Sequence, residues 1–192
     1  MPKLWTDTVA AHRAAVRDAT LDAAAALVAE HGLTGVTMSR IAEATGIGRA
    51  TLYKYFPDVQ AILLAWHERH VQRHLDHLTA IRDQSGEPGD RLAAALTAYA
   101  GMARHRPGGE HGGSLAVMLH RNGHVSAAHE HLHALIRDLI TDAVRAGHVR
   151  GDIPAGELAT YCLHALGAAT ASTGPAAHRL VTVVLDGLHH RS

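Results

Sequence analysis

The sequence has little cysteine, no excess of either charge and no long apolar run. Cys162 is the single cysteine, which excludes an internal disulfide. Basic and acidic residues number 18 each, and no long stretch carries one sign, so the chain has no polybasic nucleic-acid arm. The first residues lack an apolar signal region, and no stretch approaches the roughly 18 apolar residues of a membrane span. These absences predict a soluble protein of a reducing compartment, the cytoplasm.

Strand-like alternation of apolar and polar residues is also nearly absent, whereas apolar residues recur at helical spacing along most of the chain. The pattern predicts an all-α fold. One segment, RLVTVVL at residues 179–185, is β-branched enough to form a strand instead. The predicted helices are about nine in number, at residues 8–31, 38–44, 49–56, 58–83, 91–104, 114–121, 127–146, 155–172 and 175–189.

Residues 36–62, VTMSRIAEATGIGRATLYKYFPDVQAI, have the pattern of a helix-turn-helix. Such a pair of short helices needs a small residue where the backbones approach, a glycine in the turn and apolar residues against a supporting helix. Ala42 and Gly46 meet the first two needs, and Ile41, Ile47 and Leu52 meet the third. Over about residues 12–64 the chain resembles the TetR (tetracycline-repressor-like) family of bacterial transcription regulators, whose recognition helix ends in a sequence similar to LYKYFP at residues 52–57.

The resemblance and the helix positions together imply a set of DNA contacts. The N-terminal part of a recognition helix enters the major groove, where an arginine can bind guanine and a threonine methyl can contact thymine. Side chains nearer its end, and those at the start of the preceding helix, suit phosphates. The predicted base contacts are Arg49, Ala50 and Thr51, and the predicted backbone contacts are Thr37, Ser39, Arg40, Tyr53, Lys54 and Tyr55.

Two positions depart from the pattern of the family. Gly48 stands where relatives often have Ser or Thr, and Val59 stands where they often have Lys, which removes an expected phosphate contact. We therefore expect binding to depend more on Lys3, Arg13 and Arg17. Residues 1–57 carry six basic side chains against five acidic ones, so useful affinity should need a dimer.

HEHLH at residues 129–133 matches the HExxH spacing of a zinc hydrolase, but the chain contains 18 histidines, so the match has little specificity. Helical spacing places His129 and His133 on the apolar face of their helix, and histidines of the long fourth helix also border its apolar face. The resemblance implies that these two helices line a cavity for a small effector. The predicted effector contacts are His67, His70, His74, Tyr99, Met102, Met118, His129 and His133.

Three interpretations of these histidines stay open: core residues with ordinary hydrogen bonds, contacts to an organic effector, or ligands of a metal sensor. A zinc-dependent hydrolase using His129, Glu130 and His133 is the alternative in another class. We assign no catalytic residue, no metal site and no cofactor, and we expect the chain not to be an enzyme.

The expected organisation is a DNA-binding domain at residues 1–57 and an effector-binding and dimerisation domain at residues 58–192. The last two helices have abundant apolar residues, which predict pairing with a second copy in a homodimer. Those residues are Leu158, Cys162, Leu166, Ala169, Leu180, Val181, Val184 and Leu188. The expected function is repression of transcription by a protein that binds double-stranded operator DNA and is released by a small-molecule effector.

Overall fold

A computed structural model describes residues 3–104, 124–171 and 173–189 of the 192-residue chain. These residues form eight α-helices and two 3-10 turns, at Leu33–Gly35 and Ala168–Ala171, and contain no strand. The helices are α1 (Lys3–His31), α2 (Met38–Thr45), α3 (Arg49–Tyr55), α4 (Val59–Arg82), α5 (Pro88–Arg104), α6 (His124–Arg145), α7 (Ala155–Gly167) and α8 (Gly174–Leu188).

The predicted all-α fold is confirmed. The segment RLVTVVL lies within α8, so helical packing overrides its β-branched composition. The predicted helix at residues 114–121 lies outside the described residues. No helix in the described ranges is long and apolar enough to cross a membrane.

The helix ends follow from local chemistry. Gly32, with φ 70°, follows the end of α1, and Gly46, with φ 67°, caps α2, a conformation that residues with a Cβ avoid. The carboxylate of Asp58 accepts the Ala61 N–H at 2.8 Å at the start of α4. Pro175 occupies the first turn of α8, where a missing N–H costs nothing.

The chain forms two compact units, and its division falls within α4. In the first unit, residues 3–70, the helices α1, α2 and α3 and the first half of α4 share one apolar core. Its fully buried members include Leu21, Ile41, Leu52 and Ile62. A small helical unit thus presents α3 on a rigid support.

The second unit contains the rest of α4 and the helices α5 to α8 in its described part, around a larger aliphatic core. Leu96, Leu139, Ile140 and Leu166 are fully buried there. The predicted boundary between residues 57 and 58 separates two functions, whereas the boundary within α4 separates two compact units. The functional boundary stays a prediction.

The apolar residues expected to pair with a second copy lie mostly inside this core. Seven of the eight residues predicted for that role are no more than 4% exposed, because α7 and α8 pack against α5 and α6 of the same chain. Leu180 alone is half-buried. The prediction that these side chains exceed what one body can bury is therefore wrong, and a partner would have to use other residues.

Candidate nucleic-acid interface

The turn between α2 and α3 is fixed by a few specific contacts. The hydroxyl of Thr45 donates to the Ile41 carbonyl at 2.8 Å, and its oxygen accepts the N–H of Ile47 at 3.3 Å. Gly46 takes its left-handed conformation between these two residues. The chain can therefore reverse sharply without leaving the backbone of the turn unsupported.

Helix α3 is held by two buried side chains and exposes most of the others. Leu52 has no exposed surface, as predicted, and Phe56, which follows the helix, is 3% exposed, so both belong to the core. Tyr53 is 47% exposed and Tyr55 is half-buried. The remaining predicted contacts on this helix are exposed: Arg49, Ala50, Thr51 and Lys54.

The start of α2 lies beside this surface in the same unit. Thr37 caps the helix, since its hydroxyl oxygen accepts the Arg40 N–H at 3.2 Å, which leaves the hydroxyl proton for another partner. Ser39 is exposed. The Arg40 guanidinium donates to the Gly35 carbonyl at 3.0 Å, so its side chain is oriented before any ligand binds. The structure thus gathers all nine predicted DNA contacts in one unit, where eight are exposed and Tyr55 is half-buried.

Gly48 occupies the cap position of α3 and offers no side-chain hydrogen bond. Its φ of −59° is ordinary, and a Cβ there would meet nothing within 4 Å. The departure noted in the sequence therefore costs α3 a capping interaction without serving any steric need.

One ionic contact in this unit was not expected from the sequence. The guanidinium of Arg69 on α4 donates to Asp18 at 3.1 Å and to Asp22, both on α1. Asp18 and Asp22 are four residues apart, a spacing that places two carboxylates on one helix face. This spacing is the sequence feature from which a shared basic partner could have been predicted. These two contacts tie the first half of α4 to α1.

The proposed effector residues are distributed over both units. His67 and His70 are half-buried on the first half of α4, where the His70 ring stacks on Trp66 with centroids 6.0 Å apart. His74, Tyr99 and Met102 are half-buried in the second unit, the latter two against its core. Met118 lies outside the described residues.

The two histidines of HEHLH do not share an environment. The prediction that His129 is buried is wrong, since it is exposed. His133 is half-buried, and its Nε2 lies 3.1 Å from both the Gly156 carbonyl and the Thr160 hydroxyl. Because a carbonyl only accepts, Nε2 carries a proton and cannot bind a metal. No group of three or more potential metal ligands occurs in the described ranges, so neither the hydrolase nor the metal sensor gains support.

Comparison with known families identifies both units. Residues 21–66 match the model for bacterial regulatory proteins of the tetR family, and residues 87–190 match the C-terminal domain of SbtR-like transcriptional regulators. The chain belongs to the TetR family. The first match contains α2 and α3 entire, the two helices of the helix-turn-helix pattern in this TetR-family chain.

Curated relatives of this TetR-family chain include uncharacterised HTH-type transcriptional regulators from two strains of Mycobacterium tuberculosis. Each is 33% identical over 103 residues, which are 53% of this chain and 51% of the relative. The match thus spans about half the length of these curated relatives.

Solved structures extend the likeness to the whole fold. A TetR transcriptional regulator from Streptomyces coelicolor is 26% identical, with a TM-score of 0.66 over 92% of this chain and 99% of its own. The regulator FadR of Bacillus subtilis, solved with stearoyl-CoA, is 13% identical with a TM-score of 0.65, covering 89% of this chain and 98% of that one. The latter likeness concerns the fold alone.

Proposed function

We propose that the chain is a homodimeric transcriptional repressor that binds operator DNA through α3 and is released by a small organic effector. The observation that carries this proposal is the exposed surface of α3, anchored by Leu52 and Phe56 over a rigid core. A short helix held in this way can enter the major groove without deforming. Such a regulator acts in the cytoplasm, where bacterial DNA lies.

Within this interface the residues have different tasks. Arg49, Ala50 and Thr51, in the first turn of α3, reach base edges, where an arginine can form paired hydrogen bonds to guanine. Tyr53, Lys54 and Tyr55 contact the backbone or the groove wall, and Thr37, Ser39 and Arg40 do so from the start of α2. These tasks imply that changes at Arg49 alter the preference among DNA sequences and that changes at Lys54 weaken binding to all DNA sequences alike.

The homodimer rests on the surface that α7 and α8 leave exposed. Tyr161 on α7 is 45% exposed and Val183 on α8 is 61% exposed, two of the large apolar side chains in the described ranges that face solvent. Val183 lies one helical turn before Gly187 on α8, and the Tyr161 hydroxyl would lie 3.4 Å from a Cβ placed at Gly187, so Tyr161 and Val183 border one face. A second copy covering this face would remove apolar surface that the protomer cannot bury itself.

The effector site is proposed within the second unit, from the half-buried residues His74, Tyr99, Met102 and His133. Histidine, tyrosine and methionine combine hydrogen-bonding groups with adaptable apolar surface, which suits an organic molecule with a few polar atoms. The TetR-fold structures solved with a stearoyl-CoA and with resorcinol show that ligands of very different size occur on this fold. An effector must bind the released conformation more tightly than the DNA-bound one. We assign no catalytic role, metal or cofactor.

The test of DNA recognition is fluorescence anisotropy with DNA taken from upstream of the gene. Arg49→Ala and Tyr53→Ala should each lose about 1–3 kcal/mol of binding free energy, since each removes a direct contact. Glu130→Gln is the matched control, because it also alters an exposed side chain but on α6. Full binding by both α3 variants would contradict the assigned recognition helix.

The same assay tests release by a ligand. A panel of fatty acyl-CoAs, phenols and steroids should include a class that lowers DNA affinity, and His74→Ala should raise the concentration required without changing affinity for DNA alone. An effector response that survives unchanged in variants of His74, Tyr99 and His133 would contradict the proposed site.

A further inference from the structure

The first unit contains an open cleft between α1 and α3 with a volume of about 440 Å³. Arg13, Ala14 and Arg17 line it from α1, and Lys54 and Tyr55 line it from α3. Three of these five side chains are cationic and none is acidic. Clefts with walls of one charge sign focus the electrostatic field, so this one attracts an anion.

Two acidic residues of α1, Asp18 and Asp22, are close to Arg17 in sequence but do not neutralise the cleft. Asp18 and Asp22 are both bound by Arg69 of α4, on another side of α1. In this part of α1, Asp18 and Asp22 are therefore bound to α4, whereas Arg13 and Arg17 line the cleft. This arrangement explains how a unit with nearly balanced charge can present a local cationic surface.

Arg17 is positioned for an anion by an aromatic side chain. Its guanidinium carbon lies 5.1 Å from the centroid of the Phe56 ring, over the face of that ring. Stacking occupies the face of the guanidinium but leaves the N–H groups along its edge, which are the groups that bind phosphate. Phe56 is 3% exposed and belongs to the core, so the stack places Arg17 on a fixed support.

The cleft adjoins the surface that reads DNA. At 100° per residue, Ala50 and Lys54 lie 40° apart on the outer face of α3, opposite buried Leu52. Lys54 therefore belongs both to the exposed face of the recognition helix and to the wall of the cleft. An anion in the cleft lies beside the groove that α3 would occupy.

We propose that this cleft binds one phosphate of the DNA backbone, outside the base pairs read by α3, with Arg13 and Arg17 of α1 acting beside Lys54. The proposal rests on the function proposed above. It supplies the phosphate contact that Val59 cannot make at the start of α4. It also assigns a DNA-binding role to a helix outside the helix-turn-helix.

The test combines charge removal with neutral linkages in the DNA. Binding of the upstream duplex is measured against salt concentration for the wild type, Arg13→Gln and Arg17→Gln. Arg13→Gln should lower affinity several-fold for all sequences and reduce the slope of log K against log salt by about 1 per protomer. Arg73→Gln is the control, because Arg73 is an exposed arginine of the second unit and its loss removes the same charge.

A series of duplexes, each with one methylphosphonate linkage, then locates the contact. One neutral linkage in the flank of each half-site should weaken DNA binding by the wild type, and it should weaken binding by Arg13→Gln less, because that variant has already lost part of the contact. Arg17→Gln should give the same result. If loss of the stack on Phe56 unfolds this variant, the test rests on Arg13→Gln, which keeps that stack. An unchanged salt slope in Arg13→Gln, or equal losses in wild type and variant at every linkage, would overturn the proposal.

Two further results separate this proposal from its neighbours. If the wild type itself binds no DNA, both the proposed function and the cleft proposal are wrong. If the wild type binds DNA and Arg13→Gln binds it with the same affinity and salt slope, only the cleft proposal is wrong. Inorganic phosphate at matched ionic strength should not raise the melting temperature. The opposite result would be that phosphate stabilises the wild type but not Arg13→Gln, while the salt slope of DNA binding is the same in both proteins. That result would assign the cleft to a free anion and overturn the DNA contact.

Discussion

Cys162 shows how burial decides the chemistry of a single residue. Its side chain has no exposed surface, and desolvation raises the pKa of the thiol to about 12 from an ordinary 9.0. Only the thiolate reacts with disulfide reagents or binds metals. Cys162 is therefore a small core residue and not a redox switch.

At pH 8 the native thiol should react with a disulfide reagent roughly 1,000-fold more slowly than an unfolded one, from the pKa shift alone. Because the folded pKa is the higher, the stability due to this thiol is complete below pH 9 and is lost as pH rises towards 12. A cysteine introduced by Gln84→Cys in a Cys162→Ala background is the control, since Gln84 is exposed. Equal labelling rates for the two native proteins would contradict the burial of Cys162.

The histidines mark the limit of prediction from sequence at this scale. Helical spacing placed His129 and His133 together on the apolar face of α6, and the structure buries Ile136, Leu139 and Ile140 on that helix. It could not show that burial decreases toward the start of the helix, so that His129 is exposed although it lies on the same face. Nor could it find the partner of His133, because Gly156 and Thr160 belong to α7 and meet the ring only through tertiary packing.

At the scale of elements, the helix-turn-helix was the most predictable part of the chain. Its signals are local: a cap at Thr37, a glycine at the turn, and apolar residues at Leu52 and Phe56. Helix ends elsewhere were less well placed, since α1 begins at Lys3 rather than near Thr8. The helix predicted at residues 155–172 ends earlier, because α7 stops at Gly167 and a 3-10 turn, Ala168–Ala171, follows it. Such ends depend on contacts that the sequence does not show.

The two glycines of the turn should respond differently to substitution. Gly46 has φ 67°, so Gly46→Ala should destabilise the first unit by about 1–2 kcal/mol even though the Cβ meets no other atom within 4 Å. Gly48→Ser should instead gain a few tenths of a kcal/mol, because its φ is ordinary and serine can cap α3. Urea unfolding followed by the fluorescence of Trp66, which packs against this core, measures both changes. Equal stability of Gly46→Ala and the wild type would refute the described turn.

For the whole molecule, the sequence predicted a small DNA-binding part and a larger helical body, and the family comparison agrees with both. It did not predict where the compact units divide, because the Arg69 contacts with Asp18 and Asp22 join sites 51 and 47 residues apart. It also misjudged the surface of α7 and α8. Apolar content alone cannot say whether a side chain faces its own core or a partner, and here most of it faces the core.

The central claim is that two copies of α3, one from each protomer, read DNA together. Sequencing the duplexes that the wild-type chain selects from a random library tests this most directly. We predict two related half-sites of opposite orientation, about one helical turn or a small multiple apart, and loss of their enrichment in Arg49→Ala. Selection of no common sequence, of one unrepeated site, or of the same sites by Arg49→Ala would contradict it.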